Sequence, residues 1–250
     1  MRFMEKNLLL CIETSTEMCS VAIYDVEKEV MEGEKYLVEA RLQSAMLVPM
    51  IDALFAETSH TIDECCAVAV SEGPGSYTGL RVGVSTARGL CVGLKVPVIA
   101  VSTMDILCCQ AQTSDGGDIV SGGDAAYTGA KYIVPMIDAR RMEVYQAVYK
   151  SDGERISQIS PKILDSASYS DFLSEAQVLF VGNGCMKFKD VLNEGNAFFL
   201  PVNPAASAMA LKAAKKFASK EFEDVAYFEP FYLKEFVAGV TKKSVLKTDI

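Results

Sequence analysis

The chain has 250 residues, of which half are hydrophobic and 23% are charged, a composition typical of a soluble globular protein with a substantial core. Its formal net charge of −9 argues against direct binding to a nucleic-acid backbone, which needs clustered Lys and Arg. Any role on nucleic acid would therefore fall to a partner. The sequence has no signal-peptide pattern and no apolar run of the ~18 residues that a membrane span needs, so we expect a cytoplasmic protein without membrane attachment.

Cysteine and histidine usage restricts the possible chemistry. None of the eight cysteines forms a C-x-x-C pair, and most lie inside apolar strand or helix patterns. We therefore predict reduced, buried thiols and neither a zinc site nor a disulfide framework. His60 is the only histidine, so a Ser-His-Asp triad or a His-rich metal site would have to include it.

The first part of the chain predicts the element order β-β-β-α-β-α-β-α. A continuous apolar strand, 8–13, ends in an acid and is followed by the hydroxyl-rich turn Thr14-Ser15-Thr16-Glu17. Strands 20–25 and 28–38 follow, and then an amphipathic helix over 39–57. Pro49 falls inside that helix pattern and predicts a kink or a break.

A glycine-rich stretch then organises this half. The apolar strand 65–70 leads to Gly73-Pro74-Gly75, which stops it, and Ser76 or Thr78 can cap a helix running from about 78 to 94. Small residues recur four apart on this helix, in one row of Gly79, Gly83 and Ala87 and a second row of Ser85, Gly89 and Gly93.

Each glycine costs about 1 kcal/mol relative to Ala in a helix, so these rows predict close backbone approach on more than one side. The glycine spacing fits neither the dinucleotide fingerprint nor a P-loop. A tight turn with a tightly packed helix is therefore favoured over a phosphate loop.

The middle of the chain contains a strand, a helix and a break. Strand 96–101 precedes a helix to about residue 112, with Ser102 as its cap and Asp105 completing a capping-box-like start. Segment 114–129 is rich in Gly, Asp and Ser, and we predict a mobile loop that is dispensable.

The second half repeats the opening pattern of the first. Strand 132–138 again ends in an acid and is followed by a turn and the partner strand 143–149. This half ends with a short helix over 169–175, a strand over 178–181 and a helix over 204–219. We expect Asn203 to cap the last helix and Pro204 to lie in its first turn. The repetition predicts an α/β protein of two facing lobes with a ligand cleft between them. Its predicted segments are a first lobe over 1–102, a second over 103–203 that includes loop 114–129, and a C-terminal helix and tail over 204–250.

Several motifs together resemble those of the TsaB family, in order from about residue 8 to 233. They are Ile12-Glu13-Thr14-Ser15-Thr16, Ser71-Glu72-Gly73-Pro74-Gly75-Ser76-Tyr77-Thr78-Gly79-Leu80-Arg81, Met136-Ile137-Asp138-Ala139-Arg140 with Glu143-Val144-Tyr145, and Tyr232-Leu233-Lys234. The resemblance implies a two-lobed actin/sugar-kinase/Hsp70-like (ASKHA) fold. It also implies a non-catalytic dimerisation subunit of the complex that puts a threonylcarbamoyl group on the adenosine beside the tRNA anticodon.

The same resemblance implies that catalysis lies elsewhere. The catalytic TsaD-type relative carries two metal-ligating His, and the corresponding positions here are Thr103 and Leu107, a poor ligand and a residue that cannot ligate at all. We expect no catalytic residue, metal or cofactor on this chain, with ATP and metal on the catalytic partner. Thr14, Ser15, Thr16 and Glu17 would be a vestigial phosphate loop.

The family also implies partners and a surface for them. The first two helices would dock the TsaD-type catalytic subunit, and the expected interface residues are Leu47, Val48, Ile51, Gly79, Gly83 and Ala87. A TsaE-type ATPase would join the complex, tRNA would be reached only through it, and the unpartnered chain could homodimerise. Two alternatives remain open: a stand-alone phosphotransferase of the same fold, which would need phosphate loops from both lobes, and a glycoprotease-like peptidase, for which His60 is the only possible histidine base.

Overall fold

The computed structural model of the protein describes residues 6–39, 43–114, 118–123, 126–192 and 195–233. The first lobe is built on a five-stranded sheet in the order β3-β2-β1-β4-β5. Its elements are β1 (Leu8–Glu13), β2 (Met18–Asp25), β3 (Val30–Val38), α1 (Gln43–Thr58), β4 (Cys65–Gly73), α2 (Tyr77–Leu94) and β5 (Val98–Ser102).

The second lobe contains a seven-stranded sheet in the order β10-β8-β7-β11-β12-β6, with β9 beside β7. Helix α3 (Thr103–Thr113) leads into it. The remaining elements are β6 (Val120–Ser121), β7 (Tyr132–Asp138), β8 (Glu143–Gln146), β9 (Tyr149–Lys150), β10 (Ser160–Ile163), α4 (Ser170–Glu175), β11 (Val178–Val181), α5 (Cys185–Lys189), β12 (Ala197–Leu200) and α6 (Ala210–Ser219).

The two sheets share one topology. In the first, β1 is antiparallel to β2 and parallel to β4, with β3 and β5 as the next strands outward. In the second, β7 is antiparallel to β8 and parallel to β11, with β10 and β12 outward. This repeated order confirms the duplicated α/β lobes and the ASKHA-like fold class.

Layers on both faces bury the first sheet. All six residues of β1 are buried, which explains why its sequence is continuously apolar and does not alternate. Leu8, Leu10 and Ile12 pack on the side of α1 and α2, whereas Leu9 and Cys11 pack on the side of α6. The C-terminal helix therefore completes the first lobe.

Helix α3 joins the lobes. Ile106 packs in the core of the first sheet, and Met104 and Leu107 pack against the second. Ser102 caps the helix by accepting a hydrogen bond from Met104 N, as predicted. Asp105 does not complete a capping box, because its carboxylate accepts a hydrogen bond from Tyr149 and pairs with Lys212. The lobe boundaries themselves stay a prediction.

Two helix predictions were wrong in part. Helix α1 continues through Pro49, so there is no break at that residue. Pro49 and Ala45, whose carbonyl loses its donor, both lie on the exposed side, where water can replace the missing bond. The last α-helix starts at Ala210 and not at 204, because the preceding segment is held by a hydrogen bond from Ala206 N to Ser20 Oγ of 2.9 Å.

The predicted mobile loop contains ordered parts. Strand β6 pairs with β12 at the edge of the second sheet, and Gly122 N donates to Ala197 O at 2.8 Å. Tyr127 packs on Phe198 with ring centroids 5.0 Å apart. The prediction of a structureless loop was wrong for these residues, whereas 115–117 and 124–125 lie outside the described residues.

Deleting 114–129 is expected to cause self-association, because the outer edge of β12 would lose its cover and could pair with another chain. Light scattering after size exclusion should detect the oligomers. Deleting only 115–117 leaves β6 in place and is the matched control. A monodisperse 114–129 deletion with an unchanged thermal midpoint would restore the interpretation of this segment as dispensable.

Candidate functional site: the inter-lobe cleft and the exposed helix face

A cleft of about 770 Å³ lies between the lobes. The turn after β1 and the start of α2 form one wall, and the turn between β7 and β8 forms the other. Residues Phe231–Leu233 of the C-terminal segment also line it. The structure therefore brings the turns that follow β1 and β7 to one cleft between the lobes, as the duplicated pattern predicted; Asp138 lines this cleft, whereas Glu13 does not.

Three residues of the predicted phosphate loop, Ser15, Thr16 and Glu17, belong to the first wall of this cleft. Thr14, Ser15 and Thr16 are buried, and Glu17 is exposed. The amide of Thr14 donates to Ser71 Oγ at 3.4 Å, and the amide of Ser15 donates to Glu13 Oε1 at 2.5 Å. A phosphate loop must point its backbone N–H groups at the ligand, and these two amides are already engaged by side chains of the protein.

The same turn holds both helices of the first lobe. Thr14 Oγ1 donates to Gly79 O at 2.8 Å, and Ser76 N donates to Ser15 O at 2.7 Å. The Gln43 side chain donates to Thr16 O at 2.5 Å. Ser76 also caps α2, since its Oγ accepts from Gly79 N at 3.2 Å. The turn is therefore used to position α1 and α2.

Glu13, at the end of β1, is fully buried below this turn. Burial raises the pKa of its carboxyl to about 7, although hydrogen bonds from Ser15 and Ser71 act in the opposite direction. Near neutral pH the folded protein therefore holds a large fraction of Glu13 protonated. The sequence indicated an acid at the end of the strand, but not its burial.

The raised pKa of Glu13 predicts a pH-dependent free energy of unfolding. A group with a folded pKa of about 7 and an ordinary value near 4.5 stabilises the fold fully below pH ~4.5, and this contribution is lost as pH rises through ~7. A difference of that size corresponds to about 3 kcal/mol. Chemical denaturation from pH 5 to 8 should show a fall in the wild type and a flatter profile in Glu13→Gln; parallel profiles would contradict the assignment.

The second wall carries a constrained turn. Arg140 and Arg141 both have positive φ, 70° and 47°, which is uncommon for residues other than glycine. Asp138 accepts from Arg140 N at 2.6 Å and pairs with Lys187 at 2.7 Å, so its charge is compensated within the second lobe. Across the cleft, Asn183 Nδ2 lies 3.5 Å from Glu17 Oε2.

Thr103 and Leu107, which the resemblance aligns with the metal-ligating His of the TsaD-type relative, are buried residues of α3. Over the described part of the chain there is no cluster of three or more His, Cys, Asp or Glu side chains that could hold a metal ion. All eight cysteines are free, as predicted, and seven are buried.

The ring of His60 lies between two carboxylates. Its Nδ1 is 2.9 Å from Glu64 Oε2, and its Nε2 is 3.6 Å from Glu32 Oε2. Both ring nitrogens therefore face carboxylates, an arrangement that does not activate a Ser or Cys.

No helix within the described ranges is long and apolar enough to cross a membrane.

The predicted interface residues lie mostly inside the chain. Leu47 and Ile51 are 1% and 2% exposed and pack in the core of the first lobe, so the expectation that they add surface was wrong. Ala87 is also buried. A Cβ on Gly79 would lie 2.0 Å from Thr14 O, and one on Gly83 2.3 Å from Thr14 Oγ1. This row of small residues therefore packs on the chain's own turn.

The second row faces outward together with Val48. A Cβ on Gly89 or Gly93 would meet no described atom within 4 Å. Val48 on α1 is 52% exposed, and Val92 on α2 is 68% exposed. We call these exposed positions on the two helices the helix face; they are Met46 and Val48 on α1, and Ser85, Gly89, Val92 and Gly93 on α2. The second row was visible in the sequence, but its outward direction was not.

Comparison with known proteins gives one consistent family. The model of the family described as TsaD, tRNA N6-adenosine threonylcarbamoyltransferase, matches residues 38–246. The tRNA threonylcarbamoyladenosine biosynthesis protein TsaB of Escherichia coli K12 is 30% identical, over 92% of this chain and 96% of that protein. The protein of the same name from Bacillus subtilis 168 is 28% identical, over 90% and 93%.

A solved structure agrees with these sequence relatives. YeaZ from Pseudomonas aeruginosa is 28% identical and superimposes with a TM-score of 0.74, covering 91% of this chain and 100% of that one. The matches extend over both lobes and include the cleft and the helix face. The chain therefore belongs to the TsaB family of tRNA threonylcarbamoyladenosine biosynthesis proteins, which shares its family model with the TsaD-type transferases.

Proposed function

We propose that this chain is a non-catalytic docking subunit of the complex that transfers a threonylcarbamoyl group to the adenosine beside the tRNA anticodon. The observation that carries the proposal is its similarity, over nearly its whole length, to proteins named for this biosynthesis. The turn after β1 supports the lack of catalysis, because the amides of Thr14 and Ser15 hydrogen-bond to side chains. ATP and metal are then held by the TsaD-type catalytic partner.

The helix face is the docking surface in this proposal. Val48 and Val92 expose apolar area on neighbouring helices, and Gly89 and Gly93 leave the backbone of α2 open to close approach. Exposed apolar patches on soluble proteins commonly mark interaction sites. The same face could join two copies of the unpartnered chain, while a TsaE-type ATPase and tRNA would bind the assembled complex.

Reconstitution with the TsaD-type subunit tests the function. We expect the catalytic subunit to modify tRNA only when this chain is added, and calorimetric titration of ATP and Mg²⁺ into this chain alone to give no binding heat. The helix face is tested separately, in the Discussion. Tight binding of ATP by the isolated chain, or full tRNA modification without it, would overturn the proposal.

A further inference from the structure

We infer that the segment Glu223–Leu233 is a strap that fixes α2, and that Arg88 and Tyr232 are positioning residues for docking. The part of this inference that concerns docking rests on the proposed function. The strap follows α6 and runs along the first lobe to the mouth of the cleft, where Phe231–Leu233 line the wall. Its contacts fall at the middle and at the start of α2.

At the middle of α2, Arg88 fixes the register of the strap. Its Nε donates to Val225 O at 2.7 Å, and its Nη2 donates to Ala226 O at 2.7 Å. A planar guanidinium that donates to two successive carbonyls allows the strap little movement along α2. Phe228, three residues after Val225, is 7% exposed and is part of the core that α2 covers.

At the start of α2, the strap bonds to the turn that begins the helix. Phe231 N donates to Glu72 O at 2.7 Å, and the ring of Tyr232 packs against Tyr77 with centroids 4.8 Å apart and a tilt of 36°. Gly73 has φ +115°, and a Cβ there would lie 2.8 Å from Phe231 O. The turn between β4 and α2 is therefore shaped to admit the strap.

These contacts leave one side of α2 open. Gly79 and Gly83 face the turn after β1, Tyr77 and Arg88 face the strap, and Gly89 is exposed. Glycine disfavours helix strongly, so a helix with glycines at 79, 83, 89 and 93 needs support from its surroundings. The strap supplies part of that support, so loosening it would allow α2 to move and would change the shape of the helix face.

The test uses full-length variants and two measurements. We expect Tyr232→Ala and Arg88→Gln to exchange the amide hydrogens of residues 77–84 at least ten-fold faster in the free chain. Their affinity for the TsaD-type subunit should fall about ten-fold. Tyr227→Ala is the matched control, because Tyr227 belongs to the same segment and is 82% exposed. Tyr232→Phe keeps the ring and should behave like the wild type.

Each outcome decides a different statement. Wild-type exchange rates in both strap variants would contradict the inference that the strap fixes α2. Faster exchange with unchanged affinity would overturn its role in docking, as would an equal loss of affinity in Tyr227→Ala. If a variant fails to fold, the pair Tyr232→Phe and Tyr232→Ala, compared by exchange under milder conditions, still decides. Failure of the wild-type chain to bind the catalytic subunit would instead count against the proposed function, while exchange in the free chain still tests the strap.

Discussion

Gly79→Val is expected to lower the free energy of unfolding by about 3 kcal/mol or more, the upper end of the range for overpacked sites. A Cβ at position 79 would lie 2.0 Å from the carbonyl oxygen of Thr14. That oxygen belongs to the backbone of a buried turn, so it cannot move aside as a flexible side chain would. Thermal and urea midpoints of the free chain should therefore fall sharply.

Gly89→Ala is the matched control for this substitution. It lies on the same helix, and its Cβ would meet no described atom within 4 Å. Because alanine is the better helix former, we expect an equal or higher midpoint, with a gain of up to about 1 kcal/mol. If Gly79→Val proved as stable as Gly89→Ala, the assignment of the two rows to an inner and an outer side of α2 would fail.

The double variant Val48→Glu with Val92→Glu is expected to abolish docking and leave the free chain folded. The two side chains are 52% and 68% exposed, so carboxylates there stay hydrated in the free protein. In an assembled interface these carboxylates would be buried without a compensating charge or hydrogen bond, at a cost on the order of several kcal/mol. We expect at least a hundred-fold loss of affinity for the TsaD-type subunit, measured by calorimetry.

Ile163→Glu is the control for that double variant. Ile163 is 73% exposed on β10 of the second lobe, so this variant introduces one carboxylate of the same kind at an exposed apolar position away from the helix face. Its affinity should equal that of the wild type. Unchanged binding by the Val48/Val92 variant, with thermal midpoints intact, would place the docking surface elsewhere.

Local sequence patterns predicted much of the fold. The continuous apolar sequence of β1, the Gly-Pro-Gly stop after β4 and the serine caps of α2 and α3 are all determined by neighbouring residues, and each was predicted close to its position. The duplication of the lobes was also visible, since both begin with a strand that ends in an acid.

Which side of each helix is buried could not be predicted from local patterns. The family resemblance implies that Leu47, Val48 and Ile51 of α1 belong to a docking interface, which requires them to be exposed. In the structure Leu47, Ile51 and Phe55 are all buried, because α1 lies against the sheet and beside α2. Periodicity gives the width of an apolar surface, but what covers it depends on elements distant in sequence.

Long-range contacts account for the remaining differences. Arg88 meets Val225 and Ala226 across more than 130 residues, and β6 pairs with β12 at the far end of the second lobe. The Gly-rich segment 114–129 and the tail 223–233 have no local periodicity, so their ordered parts could not be recognised from composition. Burial, which sets the raised pKa of Glu13, is likewise a property of the assembled lobe.

Hydrogen exchange of this chain, free and mixed with the TsaD-type subunit, locates the docking surface. We predict that protection on binding concentrates in peptides from α1 and α2, including residues 44–49 and 85–93, whereas peptides from β10 and α5 exchange as in the free chain. Protection confined to the second lobe, with exchange in α1 and α2 unchanged, would contradict it.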